Sequence, residues 1–173
     1  KNEKSMGVYW KDKALESCVE SLRIRRLYLE RSGEGEEGEE QPIDFFKNGV
    51  ARELYNKGRL HFWRAEWNDG IHALEEGLEL LHSIGKNMSP ETIQILLLMS
   101  KIESKRNNYS QALLHLDKIK AIDEERKQLH HASSLSVLSP LSKSERKKWD
   151  IDVADSLRCV GRIYLQEQFY DKG

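Results

Sequence analysis

Six histidines, two cysteines and several adjacent acid pairs are the side chains of this 173-residue chain best suited to chemistry. A helical zinc site needs two histidines one turn apart, and neither H-x-x-x-H nor H-E-x-x-H occurs. His130 and His131 are adjacent and would diverge on a helix. No metal and no cofactor is expected. Glu75–Glu76 and Glu124–Glu125 have the setting of solvated helix charge rather than of an acid–base pair. There is no G-x-S-x-G nucleophile turn and no phosphate-binding loop. Cys18 and Cys159 fall on or beside the buried register of their segments, so packing is their expected role. An enzyme is not expected.

Three other features invite a binding or regulatory role. Phe62, Trp63 and Trp67 cluster where one helix should end and another begin. They are expected first as core between the helices, and alternatively as a pocket for a partner's apolar anchor. Ser139-Pro140 lies in a serine-rich stretch followed by Arg146, Lys147 and Lys148. That dipeptide suits a proline-directed kinase, and phosphate there would place about −1.5 to −2 charges beside the basic run. An unmodified polar linker is the plainer expectation. The run EGEEGEE, residues 34–40, has no apolar side chain to bury and is expected as an acidic loop, with folding back over a basic surface as the alternative.

The elements that must position these groups are helical. Only three prolines occur, 38% of residues are hydrophobic and 33% charged, a balance suited to a folded chain. A net charge of −1 gives no global pull toward nucleic acid or membrane. No apolar run approaches the ~20 residues of a membrane-spanning helix. Two cysteines make no disulfide framework and fit a reducing cytoplasm.

The chain also repeats itself. Leu54 matches Leu96, Gly58 matches Ser100, Trp67 matches Tyr109, Gly70 matches Ala112 and Leu74 matches Leu116, each pair 42 apart (58 to 100, 70 to 112). A third copy starts near Val153 and places Leu157, Gly161, Tyr164 and Tyr170 at the same spacing. Ala14, Cys18 and Ser21 match Gly70, Leu74 and Gly77, so the chain opens on the second half of a copy. Within a copy, Ile71, Leu74, Leu78 and Leu81 step by 3, 4 and 3, which is one face of an α-helix. Ser89-Pro90-Glu91 is a helix start: a capping hydroxyl, a proline at the first position and an acid in the first turn. Helices are predicted over 11–31, 46–65, 67–85, 90–106, 109–130 and 150–167, with a seventh opening at Tyr170.

The order large apolar, small, aromatic, small in Leu54, Gly58, Trp67, Gly70 and in Leu96, Ser100, Tyr109, Ala112 resembles the tetratricopeptide repeat. The 42-residue period and the long helix ending ESLRIRRLYLE are similar to the kinesin-light-chain type of that repeat. The resemblance implies an all-α fold, a right-handed α-solenoid of stacked antiparallel helix pairs. Its parts would be the second helix of a partial repeat (1–31), an acidic Gly/Glu-rich loop (32–45), a repeat (46–88), a second repeat (89–130), a Ser-rich and basic insertion (131–149) and a truncated repeat (150–173), together one solenoid domain of a longer protein. The faces Ala14 to Leu22 and Val153 to Tyr164 would then lack a complete partner and be adhesive.

In such repeats the first helix of each pair lines a concave groove. That arrangement would place Arg52, Asn56 and Arg59 there, then Lys101 and Lys105, then Arg158 and Arg162, with Arg59, Lys101 and Arg162 at one equivalent position. Ordinary solvated charge is the competing explanation. The resemblance implies a scaffold or adaptor that holds a partner protein, by way of an acidic peptide or helix, in a larger assembly. A regulatory segment attached to an enzyme outside this chain is the alternative. An RNA-binding solenoid fits the sequence pI of 6.7 less well.

Overall fold

The computed structural model describes residues 2–32 and 43–132, together with 147, 151, 154, 158 and 161–163. Among the described residues five continuous helices follow one another: α1 (Asn2–Ser32), α2 (Ile43–Arg64), α3 (Trp67–Ser83), α4 (Pro90–Lys105) and α5 (Tyr109–Ala132), and residues 147, 151, 154, 158 and 161–163 are also helical. No strand occurs among the described residues, and none of the described helices is long and apolar enough to cross a membrane. The chain divides into two compact units, Lys1–Asn87 and Met88–Gly173.

In the first unit α2 packs against both α1 and α3. The α1–α2 pair is antiparallel: Lys11 Nζ donates to the Trp63 carbonyl at 3.1 Å, Asp12 pairs with Arg64, Cys18 Sγ meets the Glu53 carbonyl at 3.4 Å, and Tyr28 stacks on Phe46. The core joins Cys18 and Leu22 of α1 to Val50, Leu54 and Leu60 of α2 and Ala73 of α3. Gly58 lets α2 and α3 approach closely, since a Cβ there would stand 2.7 Å from Leu74 Cγ. In the second unit α4 packs on α5. From Thr92 to Glu103 nearly every α4 residue is buried, as a helix apolar on all sides requires. Ser89 caps it, accepting from the Thr92 N–H at 3.2 Å, with Pro90 behind it.

The two turns share one design. Ala65 and Asn107 hold φ of 60° and 61°. The N–H of Ala65 donates to Phe62, that of Glu66 to His61 and that of Gly70 to Glu66, at 3.2, 3.0 and 3.0 Å. Asn107, Asn108 and Ala112 donate to Ser104, Glu103 and Asn108 at 3.2, 2.9 and 3.1 Å. Every pair of equivalents is 42 apart, as the matching of 65 to 107 and 70 to 112 shows. Gly70 and Ala112 are both buried, where small residues allow helices to meet.

Several expectations need correction. Helix α1 begins at Asn2 rather than at 11, because no proline or turn dipeptide interrupts residues 2–10 and the Lys11 and Asp12 contacts hold that end to α2. Helix α2 begins at Ile43, directly after Pro42, rather than at 46. The face from Ala14 to Leu22 is divided: Ala14 is exposed and Ser21 half-buried, whereas Cys18 and Leu22 are covered. Cys18 and Leu22 are buried by α2, and Tyr9, Trp10, Val19, Ile24, Leu27 and Tyr28 are the large exposed apolar side chains of α1 among the described residues. Gly161 is exposed, with no described residue close to a Cβ placed there, whereas Gly58 and Ser100 are buried. Ile163 is buried among the described residues of that stretch. Residues 34–40, Ser139, Val153, Leu157, Cys159, Tyr164 and Tyr170 lie outside the described residues.

Candidate functional site

The side of the α1–α2 seam away from α3 is a groove with two depressions. One of about 350 Å³ is lined by Ala14, Ser17, Cys18 and Ser21 of α1 and by Glu53, Asn56, Arg59, Leu60 and Trp63 of α2. The other, about 690 Å³, shares Ser17 and Ser21 and continues past Ile24, Arg25 and Tyr28 to Phe46. All lining residues come from α1 and α2.

Helical spacing creates this groove. Ala14, Ser17, Ser21, Ile24 and Tyr28 step by 3, 4, 3 and 4 along α1, and Glu53, Asn56, Leu60 and Trp63 by 3, 4 and 3 along α2. Ala14, Ser17 and Ser21 on α1 and Asn56 on α2 are small or short, which keeps the groove open. Gly49 contributes by having no side chain: a Cβ there would stand 2.8 Å from an Arg25 guanidinium nitrogen.

Arg59 is the best-placed cation in the groove. Its guanidinium lies over the Tyr55 ring at 5.7 Å and over the Trp63 ring at 5.1 Å, one aromatic four residues before it and one four residues after. Stacking of this kind restrains a side chain that is otherwise costly to order and leaves its N–H edge available. Asn56 Nδ2 donates to Glu53 Oε2 at 3.4 Å, and Arg25 Nε approaches Glu53 Oε1 at 3.8 Å. Glu53 is therefore tied to Asn56 and Arg25, while neither Arg52 nor Arg59 makes an ion pair among the described residues.

The sequence candidates separate as follows. Asn56 and Arg59 line the groove and Arg52 is exposed on the same side of α2. The aromatic trio divides: Trp63 lines the groove and is 52% exposed, whereas Phe62 and Trp67 pack on each other at 5.7 Å across the α2–α3 turn. Lys101 is half-buried and Lys105 exposed on α4, and Arg158 and Arg162 are exposed, all four in the second unit. The α1 wall was missed from sequence, although the 3-and-4 spacing of its small residues was readable.

At the α2–α3 turn the structure gathers His61, Glu66 and Asp69, whose ligand atoms lie within 4.8 Å of one another. A cation could in principle use that spacing. The surrounding bonds describe an ion-paired turn instead. His61 Nδ1 is 2.7 Å from Glu66 Oε2, and Arg64 Nε donates to Glu66 Oε1 at 2.8 Å. Those two bonds, His61 first and Arg64 second, hold the Glu66 carboxyl below its ordinary range. His61 Nε2 is buried without a hydrogen-bond partner among the described residues. A ligating histidine normally donates its second nitrogen to a supporting acceptor, and here a neighbouring arginine also opposes a cation. In the second unit Glu103 occupies the place of His61 and pairs with Arg106 at 3.0 Å. Burial, then Lys118, lower the nearby His115 below the ordinary imidazole value, with Glu103 opposing them.

No family model matches this chain, and comparison with curated proteins and with solved structures finds no similar protein.

Proposed function

We propose that this chain is a protein-binding helical-repeat segment of tetratricopeptide type, a scaffold or adaptor that holds an acidic segment of a partner protein and performs no chemistry of its own. The observation that carries this is Arg59, restrained between Tyr55 and Trp63 on the wall of an open groove, with Asn56 beside it. A restrained guanidinium beside a short amide offers directional donors to a carboxylate, at less entropic cost than a free side chain. Trp63 and Leu60 supply apolar surface next to that charge. Such a mixture suits a peptide better than a small metabolite, which would need a more enclosed cavity.

Lys101 stands at the register position of Arg59 in the second repeat, and Arg162 at that of the third. We include them, with Lys105 and Arg158, as the same binding function continued in the second unit. Each exposed charged contact contributes about 1 kcal/mol or less, so affinity is modest and falls with salt. The cytoplasm is the compartment that fits two cysteines outside any disulfide framework.

The test is a triple variant, Arg59→Glu, Lys101→Glu and Arg162→Glu, compared with the parent as bait in a native extract over a salt series. Partners retained by the parent at low salt should be lost from the variant while its helical circular dichroism is unchanged. Equal capture with an equal salt slope would move the binding surface away from these residues.

A further inference from the structure

The groove specifies more than an acidic partner. Resting on the binding function proposed above, we infer that its occupant is an amphipathic α-helix of four to five turns, laid along the open side of α1 and α2 as a third helix, with two acidic residues seven apart facing Arg52 and Arg59.

The first support is the spacing of the walls. Trp10, Ala14, Ser17, Ser21, Ile24 and Tyr28 recur at steps of 4, 3, 4, 3 and 4. That period is the seam one helix presents to another. An extended peptide matches a sheet edge or a flat groove and has no use for it. None of these six side chains is buried, although the adjacent face of the same helix, Cys18 and Leu22, is buried by α2. Helix α1 therefore carries two neighbouring faces at helix-packing period, and only one is covered.

The second support is shape. The groove is bulky at its ends and small in its middle. Trp10 and Trp63 are both at the end where Lys11 meets α2, and the Tyr28–Phe46 stack, with rings 6.3 Å apart and 6° from parallel, is at the other. Between them are Ala14, Ser17 and Ser21 of α1, with Gly49 and Asn56 of α2. Facing layers pack when large side chains meet small ones, so the occupant carries its branched aliphatic residues in the middle of its stripe. From Trp10 to Tyr28 the stripe advances 18 residue steps along α1 (10 to 28). At about 1.5 Å per residue that is roughly 27 Å, which sets the length of the occupant.

The third support is charge. Arg52 and Arg59 are two turns apart on the α2 edge, about 10 Å along the axis. On the α1 edge Glu16 is paired with Lys13 and Glu20 with Arg23, both at 2.7 Å, so that edge is compensated within the chain. Among the described residues the α2 edge is left cationic, and it calls for acids at a spacing of seven on the side of the occupant that faces α2.

The experiment uses the full chain and two labelled synthetic peptides of about 18 residues with identical composition. In the first, leucines recur at steps of 3 and 4 and two glutamates stand seven apart on one flank. In the second the same residues are scrambled so that no helical stripe survives. Binding is read by fluorescence anisotropy and helix formation by circular dichroism. The striped peptide should bind at least about tenfold more tightly, a difference of about 1.4 kcal/mol, and gain helix on binding. Ser21→Trp, with Ser17→Trp as a second groove-filling variant, should remove that advantage while the chain melts at the parent temperature. Arg52→Glu with Arg59→Glu should reverse the preference toward a peptide carrying lysine at the same two places. Equal binding of both peptides, lost in Arg59→Glu, would overturn the helical occupant and leave the acidic-segment function standing. Binding of neither would overturn both. Self-association of the parent that Ser21→Trp abolishes would make a second copy the occupant and overturn the inference.

Discussion

The α2–α3 and α4–α5 turns have the same backbone and different side-chain chemistry. Both place a residue at φ near 60° and close with the same three main-chain bonds. One is braced by His61, Glu66 and Arg64, the other by Glu103 and Arg106. The turn geometry is thus set by where the main-chain donors and acceptors end, and the side chain at the 61/103 position adapts to it. The packing beside the turns differs more. Helix α2 brings bare backbone to Leu74 through Gly58, whereas α4 meets its partner through the buried Ser100. Equivalent positions in a repeat can share a fold without sharing the distance of closest approach.

The largest test of this difference is to exchange the small residues. Gly58→Ser should destabilise by about 1–3 kcal/mol, because its Cβ must displace Leu74 or separate the helices. Ser100→Ala, at the equivalent position, should be neutral or stabilising by up to about 1 kcal/mol, since the Ser100 Oγ is buried without a partner among the described residues. Denaturant midpoints of the two variants measure both, and equal effects of the same sign would dissolve the distinction.

A smaller effect is expected in the turns. Ala65→Gly should stabilise by about 0.5–1 kcal/mol, because alanine is strained at a positive φ that glycine adopts freely. Asn107→Gly should gain less, since asparagine already tolerates that conformation. Thermal melts of the pair check the order.

The smallest is a pH effect confined to the second pair. His115 is held below the ordinary imidazole range chiefly by burial, so the unfolded chain binds its proton more readily than the folded one. Stability from this group is present at neutral pH and declines as pH falls through the imidazole range. His115→Gln should flatten that slope between about pH 7.5 and 5.5. A parent melting temperature that does not fall over that interval would remove the effect.

Much of the fold was legible because it depends on local pattern. The 42-residue matching of Gly58 to Ser100 and Gly70 to Ala112 gave both turns, and Ser89-Pro90 marked the start of α4. The start of α1 was not legible, since residues 2–10 carry neither a stop nor a strong apolar face and are held by Lys11 and Asp12 to residues more than 50 positions away. The candidate site was half legible. Arg52, Asn56 and Arg59 were readable as a stripe, and Tyr55 and Trp63, four residues either side of Arg59, were a local sign that it would be restrained. The opposite wall was missed although its spacing was readable, because that spacing alone does not say which face of α1 turns toward α2.

The packing of helices onto their sequence neighbours has a consequence in time. α1 meets α2, α2 meets α3 and α4 meets α5, each across a connection of a few residues or one short segment. Partners so near along the chain find one another after little diffusive search, and helical topologies of this kind reach their native contacts in microseconds to milliseconds. At a synthesis rate of about 5–20 residues per second, α1, α2 and α3 would be assembled before α5 had been completed. Within this stretch the helix that carries Arg59 would then be packed on both of its neighbours before the α4–α5 pair is complete.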